Sequence, residues 1–170
     1  MARPFRTSAQ ISGSLRSDHS PRTITSARGS ARRIGGDASA TVMFTDVVDS
    51  THSAAEMGDQ QWRLLLDSHD RIAKQAVEKH RGNLIKTTGD GILATFDGPG
   101  RAVRCALAFE TMGKQIGLPL RAGLHTGEIE LRGRDVGGVA VHAAARVMAH
   151  SAPGEVLVSR VVLISWPAPA

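Results

Sequence analysis

Tyrosine is absent, and the few Phe and Trp residues bring aromatic content to only 4%, so the core has to be mostly aliphatic. A single cysteine, Cys105, excludes an internal disulfide and suits a reducing compartment. No apolar run approaches the roughly 20 residues that a bilayer crossing needs. No spacing matches a zinc site, a Gly-x-x-x-x-Gly-Lys phosphate loop or a Ser-His-Asp hydrolase. Acidic residues are scarce at the start. Residues 1–40 hold seven Arg and two Asp, which accounts for the whole formal charge of +5. The remainder is balanced, so the basicity belongs to a tail and not to a nucleic-acid-binding domain face. That tail, rich in Ser, Arg, Gly and Thr, has no sustained hydrophobic period and reads as disordered. It could contact a nucleic acid or an anionic surface weakly, or be a targeting-like segment. It lacks the apolar segment of a secretory signal, and a cytoplasmic location is expected.

A chain of 170 residues, 41% of them hydrophobic, has the length of one domain. Its organising stretch is Lys86-Thr87-Thr88-Gly89-Asp90-Gly91, a polar run between Leu84–Ile85 and Ile92–Phe96. This pattern predicts two short strands joined at a Gly-Asp-Gly turn that presents Asp90. Upstream, Thr41–Phe44 predicts a strand running into Asp46. Ser50–Met57 begins a helix, with Asp49, Ser50 or Thr51 available as its cap. A second helix is expected over about Asp59–His80, where Trp62, Leu65, Leu66, Ile72, Ala73, Ala76 and Val77 recur by threes and fours. Asp59 is its candidate cap, and His69 reads as a packed helix residue.

A third helix opens at Asp97-Gly98-Pro99-Gly100 and runs to about Lys114, with Cys105 as inert packing. Strands at Leu120–His125 and Glu128–Leu131 follow, then a Gly-rich loop over Gly133–Gly138 and an Ala-rich helix over Val139–Ala149. Glu155–Ser159 is a last strand, and Val161–Trp166 the start of a strand or helix. The order describes an α+β fold, a ferredoxin-like βαββαβ unit with helices on one face of a mostly antiparallel sheet.

Asp46 and Asp90 are 44 positions apart, and only a fold brings them together. Once together, two carboxylates suit Mg²⁺ or Mn²⁺, with a triphosphate supplying further oxygens. Alone, each is equally a turn or capping Asp. Asp49 is either a third carboxylate or a helix cap. Lys86 can donate to a ring nitrogen such as N1 of adenine, and Asp135 can accept from an amine such as that at position 6 of adenine. Guanine presents the opposite pattern. The plainer readings are an exposed strand Lys and a loop Asp. Arg146 lies on a small, apolar helix, one turn after His142, so both can face one site. Arg146 there is either a group that meets phosphate charge or a helix-surface residue. His125 reads as a hydrogen-bonding residue of a strand end.

Phe44-Thr45-Asp46-Val47-Val48-Asp49-Ser50-Thr51 and Lys86–Gly91 together resemble the two metal motifs of the class III adenylate/guanylate cyclase catalytic domain, in its bacterial, mycobacterial-like branch. Arg121-Ala122-Gly123-Leu124-His125-Thr126-Gly127-Glu128 and Asp135–Val147 are similar to later blocks of that family, so the resemblance covers about Thr41–Ser159. After the disordered tail over 1–40, it implies a cyclase catalytic domain over 41–160 and an atypical end over 161–170. It further implies two Mg²⁺ or Mn²⁺ ions on Asp46 and Asp90, adenine read by Lys86 and Asp135, and a transition state stabilised by Arg146. The substrate would be ATP and the products 3′,5′-cyclic AMP and pyrophosphate. The active site would lie across a head-to-tail homodimer.

Three departures stand out. His142 replaces a usual Asn that orients the ribose, which predicts reduced activity. Asp49 replaces a usual Gly and adds negative charge beside the metal site. Family domains continue past Glu155–Ser159 with more sheet and a Lys that contacts the triphosphate. Val161–Ala170 does not resemble that continuation, so the expected domain is incomplete at its C-terminus. The alternative expectation is a weak or inactive cyclase-like module that binds nucleotide or regulates a partner cyclase subunit.

Overall fold

The computed structural model describes residues 6–7 and 37–166. In chain order its elements are β1 (Arg6–Thr7), β2 (Asp37–Val47), α1 (Ser50–Met57), α2 (Asp59–Lys79), β3 (Asn83–Thr87), β4 (Gly91–Phe96), α3 (Pro99–Gln115), β5 (Leu120–Arg132), β6 (Asp135–Gly137), α4 (Val139–Ala149), β7 (Val156–Val158) and α5 (Arg160–Ser165). The strands form one open sheet in the order β1-β7-β5-β2-β4-β3, with β6 paired to β5. The pairs β2–β5, β2–β4 and β3–β4 are antiparallel, whereas β7 runs parallel to β5 and β1 parallel to β7. The result is an α+β fold with a mixed sheet flanked by helices.

Strand alternation decides what each face carries. Met43 and Val47 of β2, Ile92, Ala94 and Phe96 of β4, and Leu120, Ala122 and Leu124 of β5 share one core with α2 and α3. α2 buries the periodic residues Ile72, Ala73, Ala76 and Val77 together with His69, and α3 adds Ala102, Val103, Ala106 and Phe109. The intervening strand residues face the other way. There Val42 and Leu93 pack with Ile129, Val136 and the α4 residues Ala140 and Ala144. Helices therefore cover both faces, where the sequence placed them on one. An Ala-rich helix is thin enough to lie on the second face with no thick apolar stripe.

Other details differ from the sequence reading for related reasons. β2 begins at Asp37, before Thr41, and pairs residue by residue with β5 as far as Glu130. That long partner keeps Thr126–Gly127 in the ladder, so the two short strands expected at 120–125 and 128–131 are one. Part of the expected loop is β6, joined to β5 by a turn in which Gly133 has φ 65°. Asp59 is the first residue of α2 and not its cap, which is Gly58. Val161–Trp166 falls mostly in α5, whose Val162 is fully buried.

His69 is packed as expected, 5.3 Å from Phe109 between ring centroids, with Nδ1 2.9 Å from Asp70 Oδ1. Burial pushes the Cys105 thiol up to about 12, which makes it inert at neutral pH. The expectations for residues 1–5, 8–36 and 167–170 lie outside the described residues. Among the described residues, no helix is long and apolar enough to cross a membrane.

Candidate functional site

The hairpin lies beside β2, with the start of β4 against the end of β2. Asp46 lies opposite Gly91 in the β2–β4 register. The Val47 N–H donates to the Asp90 carbonyl at 3.0 Å, and the Ile92 N–H donates to Thr45 Oγ1 at 3.1 Å. A Cβ at Gly91 would fall 2.0 Å from the Thr45 carbonyl oxygen, so no other residue permits this approach. The backbone thus brings Asp46 and Asp90 to adjacent strand ends. Next to them, Asp46 through His52, with Ala55 and Arg121, line a cleft of about 670 Å³ at the start of α1. Asp49 precedes α1 in the left-handed region, at φ 55° and ψ 33°, and its side chain makes no capping bond.

Arg121 faces Asp46 directly across the β2–β5 ladder. Its Nε and Nη2 both donate to Asp46 Oδ2, at 3.1 and 2.7 Å. Both side chains are about three-quarters buried, 28% and 24% exposed. Sequence reasoning gave Arg121 no role. The available signal was a basic residue opening the Arg-Ala-Gly-Leu-His strand, which says nothing about the neighbouring strand.

The β5–β6 hairpin packs Val136 on Val42 and Leu93, and so brings Asp135 to Lys86. Lys86 Nζ donates to both carboxylate oxygens of Asp135, at 2.9 and 2.8 Å. The Val136 N–H donates to Oδ1 at 2.8 Å. These bonds, the Lys86 one first, hold the Asp135 carboxyl below its ordinary range.

Helix α4 rests on strand backbone. A Cβ at Gly123 would lie 2.1 Å from the Met148 nitrogen and 2.7 Å from the Ala144 carbonyl oxygen. His142 and Arg146 project from α4 into solvent. His125 points its Nδ1 to Ser159 Oγ at 2.9 Å, and burial pushes its imidazole pKa down, as suits a structural residue.

Two side-chain pairs are therefore built by the sheet, Asp46 with Arg121 and Lys86 with Asp135. The Asp90 backbone lies beside the first pair, and His142 and Arg146 are exposed one turn apart on α4. Among the described residues, no group of three or more His, Cys, Asp or Glu side chains could hold a metal ion. The donors at the strand ends are nevertheless carboxylate oxygens, the kind that hard divalent cations take. They fit Mg²⁺ or Mn²⁺ if water, backbone or phosphate oxygens complete the shell.

Residues 35–165 match the adenylate and guanylate cyclase catalytic domain, a span that takes in the start of β2 and all of α5. The chain is similar to an uncharacterised protein of Mycobacterium tuberculosis, 32% identical over 154 residues, covering 85% of this chain and 41% of that protein. It is also similar to an adenylate cyclase of Streptomyces coelicolor, 32% identical over 119 residues, covering 69% of this chain and 31% of the relative. The chain thus spans less than half the length of these curated relatives. Its structure resembles that of the adenylate/guanylate cyclase/hydrolase from Silicibacter pomeroyi, with a TM-score of 0.66 and 29% identity over 76% of this chain and 80% of the other.

Proposed function

The chain belongs to the class III adenylate and guanylate cyclase catalytic-domain family, and we propose that it converts ATP into 3′,5′-cyclic AMP and pyrophosphate. The observation that carries this reading is the meeting of Asp46 and Asp90 at adjacent strand ends, in the sheet that also builds the Lys86–Asp135 pair. In the reaction the ribose 3′-oxygen bonds to the α-phosphorus, the bond from that phosphorus to the bridging oxygen breaks, and pyrophosphate leaves. The hydroxyl proton passes to solvent. Asp46 and Asp90 would hold Mg²⁺ or Mn²⁺, which when bound lowers the pKa of the hydroxyl and neutralises the leaving group.

The remaining work falls to side chains. Lys86 donates to N1 of adenine and Asp135 accepts from its amine. Guanine, with N1–H and a carbonyl there, would leave both groups facing like partners. Arg146 meets the charge that develops on the α-phosphate, and His142 orients the ribose. We place the site across a head-to-tail homodimer, with the carboxylates from one protomer and Lys86, Asp135 and Arg146 from its partner. The exposed His142 and Arg146 favour this arrangement, as do Phe44 and Ile85, which stay half-buried beside the second core.

A second reading, a weak or non-catalytic module that regulates another cyclase subunit, is favoured by His142, whose imidazole differs from an amide in shape and charge. Cyclic nucleotide production from ATP or GTP with Mn²⁺ separates the two readings. Cyclic AMP that rises faster than linearly with protein, and that vanishes in Asp90→Ala, is the expected result. A folded, dimeric chain that makes no product would refute the enzyme reading.

A further inference from the structure

We propose that Arg121 is the built-in counter-ion of Asp46, and that it holds the divalent-cation affinity of this site low by occupying the carboxylate a cation must use. The inference rests on reading Asp46 as a cation ligand.

The sheet itself builds the pair. Asp46 and Arg121 are direct partners in the β2–β5 register, so their Cα positions are set by the ladder. Two guanidinium nitrogens, Nε and Nη2, converge on the single oxygen Oδ2. Among the described residues, the other ion pairs made by arginines, Arg101–Asp97 and Arg132–Glu130, join residues four and two positions apart on exposed surfaces. Arg121–Asp46 joins residues 75 positions apart and is largely buried, so solvent and salt screen it far less.

A divalent ion then has two routes. It can bind Oδ1 with a fixed positive charge on the neighbouring oxygen, or it can displace the guanidinium and forfeit the two charge-assisted hydrogen bonds to Oδ2. Both routes weaken binding. The cleft beside Asp46 is lined by Arg121 together with Asp49 and His52, so Arg121 borders the space a cation would enter as well as the ligand.

The test is Mn²⁺ binding to the full chain without nucleotide, read as loss of the free-ion signal in electron paramagnetic resonance. Arg121→Gln should bind Mn²⁺ at least about tenfold more tightly than the parent, which corresponds to about 1.4 kcal/mol. Adding Asp46→Asn should remove that gain, and Arg121→Lys, which keeps the charge, should show no comparable gain. Equal or weaker binding by Arg121→Gln overturns the inference. So does a gain that survives Asp46→Asn, an equal gain in Arg121→Lys, or an absence of Mn²⁺ binding in parent and variant alike at millimolar concentration.

Should Arg121→Gln not fold, the parent supplies the readout. The Arg121 Nε–H resonance, assigned by its absence in Arg121→Lys, should move as Mg²⁺ is added, and a signal unchanged at saturation overturns the inference. Cyclic AMP formation is scored separately. Tighter Mn²⁺ binding in a chain without cyclase activity keeps this inference and sinks the catalytic reading. Activity without the tightening does the reverse.

Discussion

Gly123→Ala is the sharpest perturbation the packing offers. The new Cβ would lie 2.1 Å from the Met148 nitrogen, 2.5 Å from the Met148 Cα and 2.7 Å from the Ala144 carbonyl oxygen. All three are backbone atoms, so no side-chain rotation relieves the clash. An ordinary contact begins near 3.4 Å, and α4 must therefore rise by about 1 Å. Overpacking of this kind costs about 1–3 kcal/mol. The same movement draws Ala144 away from Val42 and Leu93. His142 and Arg146 ride on α4, and an error of about 1 Å in a positioned group can cost about 100-fold in rate.

The assay pairs urea denaturation with Mn²⁺-dependent cyclic AMP formation. Gly123→Ala should lose both stability and activity. Gly127→Ala is the control, because its Cβ would meet the Ala140 Cβ and the His125 Nε2 at 3.2 Å each, side-chain contacts that a few tenths of an ångström relieve. It should cost less than about 1 kcal/mol. If Gly123→Ala is as stable and active as the parent, or if the two substitutions cost the same, α4 does not rest on the β5 backbone and the argument fails.

Three further outcomes follow from single sites. Asp49 holds a left-handed conformation, φ 55°, that glycine adopts freely, and its side chain makes no capping bond. Asp49→Gly should therefore raise stability by about 0.5–1 kcal/mol after the entropy of the unfolded glycine is counted; a lower thermal midpoint would refute the strain. Burial lowers the His125 pKa from 6.5, so below that value the unfolded chain takes up a proton that the folded chain resists. Stability attributable to His125 is full above pH 6.5 and is lost as pH falls towards the folded pKa. Urea midpoints at pH 7.5 and 5.5 should differ more for the parent than for His125→Gln, and equal differences would count against the burial argument. Lys86→Glu turns a donor into an acceptor for guanine N1–H, so the ratio of GTP to ATP turnover should rise; an unchanged ratio would remove Lys86 from base reading.

Local chemistry made much of this protein legible before any coordinates. The Gly-Asp-Gly turn followed from two glycines between apolar runs, and α2 from apolar residues recurring by threes and fours. Both depend only on near neighbours, and β3, β4 and α2 lie within a few residues of where they were expected.

What no local signal contains is which strand lies beside which. Asp46 and Arg121 are 75 positions apart and Lys86 and Asp135 are 49 apart, yet each pair is in hydrogen-bond contact. The length of β5 depended on a partner strand that begins at Asp37, and β6 on a hairpin that packs Val136 against Val42 and Leu93. The role of Gly123 appeared only with α4 seated on it. Composition and spacing determined which elements form and which side chains each can offer. Register, a property of two strands at once, decided which of those side chains meet and left Asp46 facing a cation of its own chain.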